Sequence, residues 1–242
     1  MTSNDHLAHV RTLISREAPA SGDKPAVDGW LQRVCRSAAR DLPAMGVGIS
    51  LLPQDSAPLP VAASSESLAV VEELQFVLGE GPCIDAHALR RPVLVPDLGA
   101  AEATTTWPGY APAAQSPGVR AVFAFPMHVG AARLGAMDVY RDRTGGLSQV
   151  ALSRALTFAE VAMERLLLDA HIGDQGAVDV LDDLDGHRFE VYQAQGMVMA
   201  QLHIGADQAL IRMRAFAFAH ERRVADVARD IVARKIELEP DA

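Results

Sequence analysis

Two apolar runs in the middle of the chain constrain its fold most. Val119 to Val129 is rich in valine and phenylalanine, and Leu134 to Tyr140 follows after a turn containing Gly130. Such residues fit a pleated surface, and so short a connection joins neighbouring strands as an antiparallel hairpin. Gly46 to Leu52 reads as a further strand closed by Pro53, with Val61 to Ser64 as a candidate partner, and Pro92 to Leu98 is strand-like. The region therefore holds a sheet.

Helices surround these strands. Residues 1–24 read as a short amphipathic helix followed by a loop at Pro19 to Asp23. Val27, Trp30, Leu31, Val34, Cys35, Ala38 and Leu42 recur at three and four residues, the helical period, and Pro43 ends the run. Leu68 to Val77 is helical and is broken by Gly79-Glu80-Gly81-Pro82. After Ser148 a long helix runs to about Ala170. On it Leu152, Leu156, Ala159, Met163, Leu166 and Ala170 step by four and three residues. That spacing fits a coiled-coil seam between two copies of the chain, or the face of one helix packed on its own sheet.

Beyond this helix the pattern changes. Asp169, Asp174, Asp179, Asp182, Asp183 and Asp185 occur with no lysine or arginine among them, which reads as a linker or a solvated helix extension. Phe189–Leu202, Asp207–Glu221 and Val224–Ile236 then form three helices with short connections, hence a compact helical unit. The expected organisation is an N-terminal helix and loop (1–24), a mixed sheet-and-helix domain (25–170), an acidic linker (171–186) and a helical domain (187–242). The fold class is α+β, an antiparallel sheet flanked by helices and joined by a long helix to a three-helix tail.

Several function classes drop out on counts. The only lysines are Lys24 and Lys235, and neither lies in a phosphate-loop pattern. Cys35 and Cys83 form no CxxC, which argues against a zinc ribbon and suits a reducing, cytoplasmic setting. No run of apolar residues is long enough to span a membrane, and Met1 to Ala20 lacks the unbroken apolar core of a signal peptide. The net charge of −9 speaks against a general nucleic-acid binder, but it is unevenly spread. Residues 187–236 carry eight basic and five acidic residues, a net +3, which leaves −12 for the rest.

Two stretches resemble known families. Glu73-Leu74-Gln75-Phe76 with Gly79-Glu80-Gly81-Pro82-Cys83, then Pro92-Val93, Pro96-Asp97-Leu98, Trp107-Pro108, Ala124-Phe125-Pro126 and Leu134 to Tyr140, resemble a GAF domain of the kind found in actinobacterial regulators. Ala194 to Met199, Ala209-Leu210, Met213-Arg214, Ala217, Val224 and Asp226-Val227-Ala228 resemble an ANTAR domain. The first resemblance implies a sensor fold for a small molecule. The second implies binding of RNA hairpins in nascent transcripts and prevention of termination. Together they imply a signal-responsive antiterminator acting as a homodimer.

The tail's own residues point the same way. Arg188, Arg212, Arg214, Arg222 and Arg223 offer guanidinium groups for phosphates or for stacking on loop bases, although arginine at a helix C-terminus also offsets the helix dipole. Gly196, inside a helix, allows another helix or RNA to approach closely. Gln195 stands where the family usually has lysine, so it hydrogen-bonds without charge. Gly205 replaces a Ser-type cap at the start of the second helix.

In the sensor region the candidate ligand-binding residues are Cys83, Trp107, Tyr110, His128 and Asp138. Cys83 follows Gly81-Pro82 at a helix start, where a lowered thiol pKa would suit redox sensing and burial would make it inert. His128 lies on a strand and faces either a pocket, haem included, or solvent or core. Trp107 and Tyr110 either wall a pocket or pack a loop. Asp138 is solvent-facing or a pocket residue. His6 and His9 have metal-compatible spacing without a third ligand nearby in sequence, so no metal site is expected, and the cofactor is unknown. No catalytic constellation and no paired carboxylates are legible, so an enzyme is not expected. The competing function is a sensor and dimerisation protein whose tail binds another protein.

Overall fold

The computed structural model describes residues 3–18, 26–52, 59–130, 132–172, 185–220, 222 and 224–239. The expected linker at 171–186 lies mostly outside them, as does Arg223, and Arg188 is described in its backbone only. The chain divides into two compact units, Met1–Val180 and Leu181–Ala242.

The hairpin organises the first unit. Strands β4 (Ala121–Val129) and β5 (Ala132–Arg141) pair antiparallel from Ala121 opposite Arg141 to Val129 opposite Ala132, with one irregularity after Met127. Strand β5 is central. Its other edge takes β1 (Gly46–Leu51), which pairs with β2 (Leu59–Ala63), while β3 (Val93–Val95) borders β4. The order is β2-β1-β5-β4-β3, antiparallel throughout.

Every residue of β1 is buried, so the sheet is covered on both faces. Side chains alternate along a strand. On β1 the large Val47, Ile49 and Leu51 face one way, and the small Gly46, Gly48 and Ser50 face the other. A side chain at Gly46 would strike Leu68, and one at Gly48 would strike Glu72. Both belong to helix α3 (Glu66–Leu78), capped by Ser65 and ended by Gly79 in the left-handed conformation. Small residues on the strand thus let α3 lie close to the sheet. Helix α4 (Pro82–Leu89) continues this layer over β4 and β5.

The opposite face is covered by α2 (Ala26–Asp41) and α7 (Gln149–Ile172). Helix α1 (Ser3–Arg16) lies along α7 and α2, held by Arg11 on Glu164 at 2.7 Å. The buried Glu17, just beyond α1, accepts from Arg36 and Arg40. The heptad-like residues of α7 belong largely to this core. Ala159, Met163 and Leu166 are buried within the unit, so they are not available to a second copy. Leu156, 44% exposed, is the one fully outward seam position among the described side chains, and Leu152 is half-buried. The reading of this stripe as a coiled-coil seam is therefore corrected in favour of packing within the chain.

Two short helices, α5 (Ala101–Thr106) and α6 (Tyr110–Gln115), were not evident in the sequence. Each has six residues, too few to display a helical period. The Glu80 carboxylate holds α6 in place by accepting from the Gly109 and Tyr110 amides at 2.7 and 2.8 Å.

The second unit consists of α8 (Asp185–Leu202), α9 (Ala206–Ala219) and α10 (Val224–Val232). Their shared core includes Ala194, Val198, Met213, Ala217, Val227 and Ile231. Helix α10 stops at Val232 rather than near Ile236. Arg234 adopts φ +55° there, a left-handed turn that ends the helix. The chain then returns to α8, where Gln201 donates to the Leu238 carbonyl at 2.9 Å.

Candidate functional site

Between the α3–α4 layer and the sheet lies a buried polar cluster. Asp138 on β5 pairs opposite Gly48 in register, so its side chain shares the face of Gly48 and Ser50. Tyr140 follows two residues on, on the same face. Glu72 and Gln75 project from α3 one turn apart. Cys83 enters from the first turn of α4. All five are almost wholly buried.

The hydrogen bonds form a connected set. Ser50 Oγ donates to Glu72 Oε1 and Tyr140 Oη donates to Glu72 Oε2, both at 2.6 Å. Gln75 Nε2 donates to Asp138 Oδ2 at 2.6 Å, and Gln75 Oε1 accepts from the Cys83 amide at 2.7 Å. Gly81, at φ +145°, precedes that amide, and a side chain on it would strike Gln75. Two polar atoms are left over: Asp138 Oδ1 and Tyr110 Oη are buried without a hydrogen-bond partner.

Burial decides the electrostatics. It pushes the Asp138 carboxyl well above the usual range, and the neighbouring Glu72 charge adds to this. Burial also raises Glu72, opposed by the hydrogen bonds from Ser50 and then Tyr140. Two carboxyls this close cannot both ionise cheaply, so each opposes the ionisation of the other. The Cys83 thiol is raised well above its ordinary value by burial and then by Asp138 and Glu72. Of the two alternatives for Cys83, its burial favours the inert one, because desolvation and two acids outweigh the dipole at the helix N-terminus. Asp138 is not solvent-facing.

The remaining sensor candidates separate. Tyr110 is buried beside the cluster, its hydroxyl pushed up by burial and then by Asp138 and Glu72. Trp107 packs in the same core and donates from Nε1 to Asp85 Oδ2 at 3.1 Å. His128 does not join them. It is exposed on β4, the solvent-facing one of the alternatives open to it. Sequence reasoning missed Ser50, Glu72, Gln75 and Tyr140 as members of a site. The legible signal was a polar i, i+3 pair, Glu72 and Gln75, on a largely apolar helix, together with Asp138 and Tyr140 two apart on an apolar strand. The structure also supplies a pair of carboxyls, and Glu72, Cys83 and Asp138 offer donor atoms all within 4.8 Å of one another.

In the second unit several expected RNA contacts have internal duties. Arg222 pairs with Asp230, which also receives Lys235, so this arginine fastens the α9–α10 corner. Gln195 Nε2 donates to the Ala206 carbonyl at 2.8 Å, clipping α8 to the start of α9. That start has only Gly205 as its cap, without a side-chain bond. Arg212 and Arg214 are half-buried, and burial lowers the Arg214 pKa from its ordinary value. Gly196 is exposed, and a side chain there would meet nothing within 4 Å. Close helix packing inside the unit therefore does not account for this glycine. Tyr192, Ile211 and Phe218 stand about half or more exposed.

A GAF-domain family model matches residues 26–164, more than half of the chain, and an ANTAR-domain model matches residues 186–232. The chain belongs to the GAF family and carries a C-terminal ANTAR domain. Solved structures similar to this GAF–ANTAR protein include the GAF domain of a phosphoenolpyruvate-protein phosphotransferase from Coxiella burnetii. It has 14% identity, a TM-score of 0.53, and coverage of 70% of this chain and 95% of that one. The corresponding Acinetobacter domain has 13% identity, a TM-score of 0.50, and coverage of 71% and 98%. At these identities the likeness shows the fold alone. No curated protein matches the chain. GAF and ANTAR domains are regulatory rather than catalytic, and together they support a sensor-regulated role in transcription. Among the described residues no helix is long and apolar enough to cross a membrane.

Proposed function

We propose that this GAF–ANTAR protein is a signal-responsive, cytoplasmic antiterminator. Its helical tail binds stem-loops in nascent transcripts, and the sensor unit governs that binding through a small-molecule or partner signal. The observation that carries this reading is the ANTAR match at residues 186–232 on a compact three-helix unit. The net +3 of this segment within an acidic chain supports it. Arg188, Arg212, Arg214 and Arg223 are the proposed phosphate or base contacts, and Gly196 is the proposed point of close approach. Arg222 and Gln195 act by holding the helix corners. The protein works as a homodimer in this reading, and the exposed Leu156 and Leu168 of α7 are the apolar groups it would cover. The bounds 25–170 for the sensor and 187–242 for the tail are part of the proposal.

A gel shift of the full-length protein with a two-hairpin RNA at two salt concentrations tests this. Binding whose affinity falls as salt rises is expected, because phosphate contacts release counterions. Arg214→Ala is expected to weaken binding with helical circular dichroism retained. Absence of binding, with and without cell-extract small molecules, overturns the reading. A protein partner for the tail is the second reading. Ile211 and Phe218 favour it, since they are 59% and 60% exposed and seven residues apart on one helix face.

A further inference from the structure

We infer that the first unit binds one divalent transition-metal ion of zinc-like preference, held by Cys83 Sγ, Asp138 and Glu72. Three observations carry this. The donor atoms of these residues lie within 4.8 Å of one another, and all three residues are buried. Zinc–sulfur and zinc–oxygen bonds are about 2.3 and 2.0–2.2 Å, so small rotations of these side chains bring the donors onto one ion. Second, Asp138 Oδ1 has no hydrogen-bond partner although Asp138 is fully buried, and the nearby Tyr110 hydroxyl has none either. A buried polar atom without a partner is costly, and a cation satisfies it. Third, among the described residues no lysine or arginine pairs with either carboxyl, and none appears among the charges acting on them. Two acids and a thiol thus share one interior without a compensating positive charge.

The surroundings orient these ligands. Gln75 holds Asp138 Oδ2 and leaves Oδ1 uncommitted, and it also anchors the Cys83 amide. Ser50 and Tyr140 fix the two oxygens of Glu72. Hydrogen bonds of this kind around metal ligands set their direction and basicity. A donor set of one thiolate and two carboxylates suits zinc and its divalent neighbours better than magnesium or calcium. Binding is an exchange without redox change. The Cys83 thiol and the Asp138 carboxyl each release a proton, their freed electron pairs bond the incoming ion, and Glu72 binds as the carboxylate. The proposal rests on the first unit alone, so it stands or falls apart from RNA binding.

The test uses the full-length protein, stripped with a chelator and titrated with Co2+ as a spectroscopic stand-in. One cobalt per chain is expected, with a thiolate-to-cobalt charge-transfer band in the near ultraviolet that Zn2+ displaces. Cys83→Ala is expected to abolish the band, and Cys35→Ala to keep it. Asp138→Asn is expected to weaken binding at least tenfold with tryptophan emission and circular dichroism unchanged. It carries the test should Cys83→Ala fail to fold. No band at excess cobalt overturns the proposal, as does a band that survives Cys83→Ala, a band lost in Cys35→Ala, or undiminished binding by folded Asp138→Asn.

Discussion

The buried cluster of the first unit and the helix corners of the second handle acidic side chains in opposite ways, and two aspartates show it. Asp138 is buried in the first unit without a cation, and desolvation drives its pKa up. Asp230 lies at the surface of the second, and hydrogen bonds from Arg222 and then Lys235 drive its pKa down. In the buried cluster of the first unit neutral donors (Ser50, Gln75, Tyr140) meet the acids, whereas Glu17 and Glu164 elsewhere in that unit pair with arginines. In the second, arginine and lysine meet them, as Arg229 also does for Asp226 and Glu190. One unit thus specifies its interior by hydrogen-bond geometry at the cost of desolvation. The other fastens its corners with partly exposed ion pairs.

Removing an acceptor from the interior should have the largest effect. Glu72→Ala leaves the Ser50 and Tyr140 hydroxyls without it, and each orphaned buried donor costs about 1–3 kcal/mol. Both tryptophans, Trp30 and Trp107, belong to the first unit. A fall in the urea midpoint of tryptophan emission therefore reads this loss, and an unchanged midpoint would break the contrast.

The pH response should differ in sign between the units. The raised Asp138 holds a proton in the fold that the unfolded chain releases. In metal-free buffer its contribution is full below the ordinary carboxyl pKa of about 4 and is lost as pH rises through the folded value. The lowered Asp230 contributes above about 4, and that contribution is lost as pH falls through its folded value. Asp138→Asn should flatten the alkaline-side loss seen by tryptophan emission. Amide exchange in α8–α10 should show the acid-side loss unaltered.

Smaller effects are expected in the second unit. Arg222→Ala removes a partly exposed pair and should loosen amide protection only at the α9–α10 corner, leaving the rest of the unit unchanged. Gly196→Leu should leave stability within about 0.5 kcal/mol, since its surroundings are open. Loss of RNA affinity in this variant would place Gly196 at an external contact, and undiminished affinity would remove it from the proposed interface.

The sequence revealed the hairpin and the three tail helices because strand composition, turn glycines and helical period act over neighbouring residues. It misassigned the α7 stripe, since Ala159, Met163 and Leu166 show the same spacing whether they face a second chain or their own sheet. It could not reveal the cluster. Glu72 and Asp138 are 66 residues apart, and only the β1–β5 register and the closeness of α3 bring them together. Cys83 was legible as a helix start but not as a neighbour of two acids, which help to raise its pKa. In the tail the arginines were visible as charges, while the commitment of Arg222 to Asp230 depended on how α9 turns into α10.

The glycines against the cluster carry a consequence for how this interior changes through descent. A side chain at position 48 collides with Glu72, and one at 81 collides with Gln75. Positions 48 and 72, and likewise 81 and 75, therefore cannot drift independently. A lineage that gains a side chain at either glycine forces the acid or the amide opposite to turn aside or shorten, and so disturbs the polar cluster.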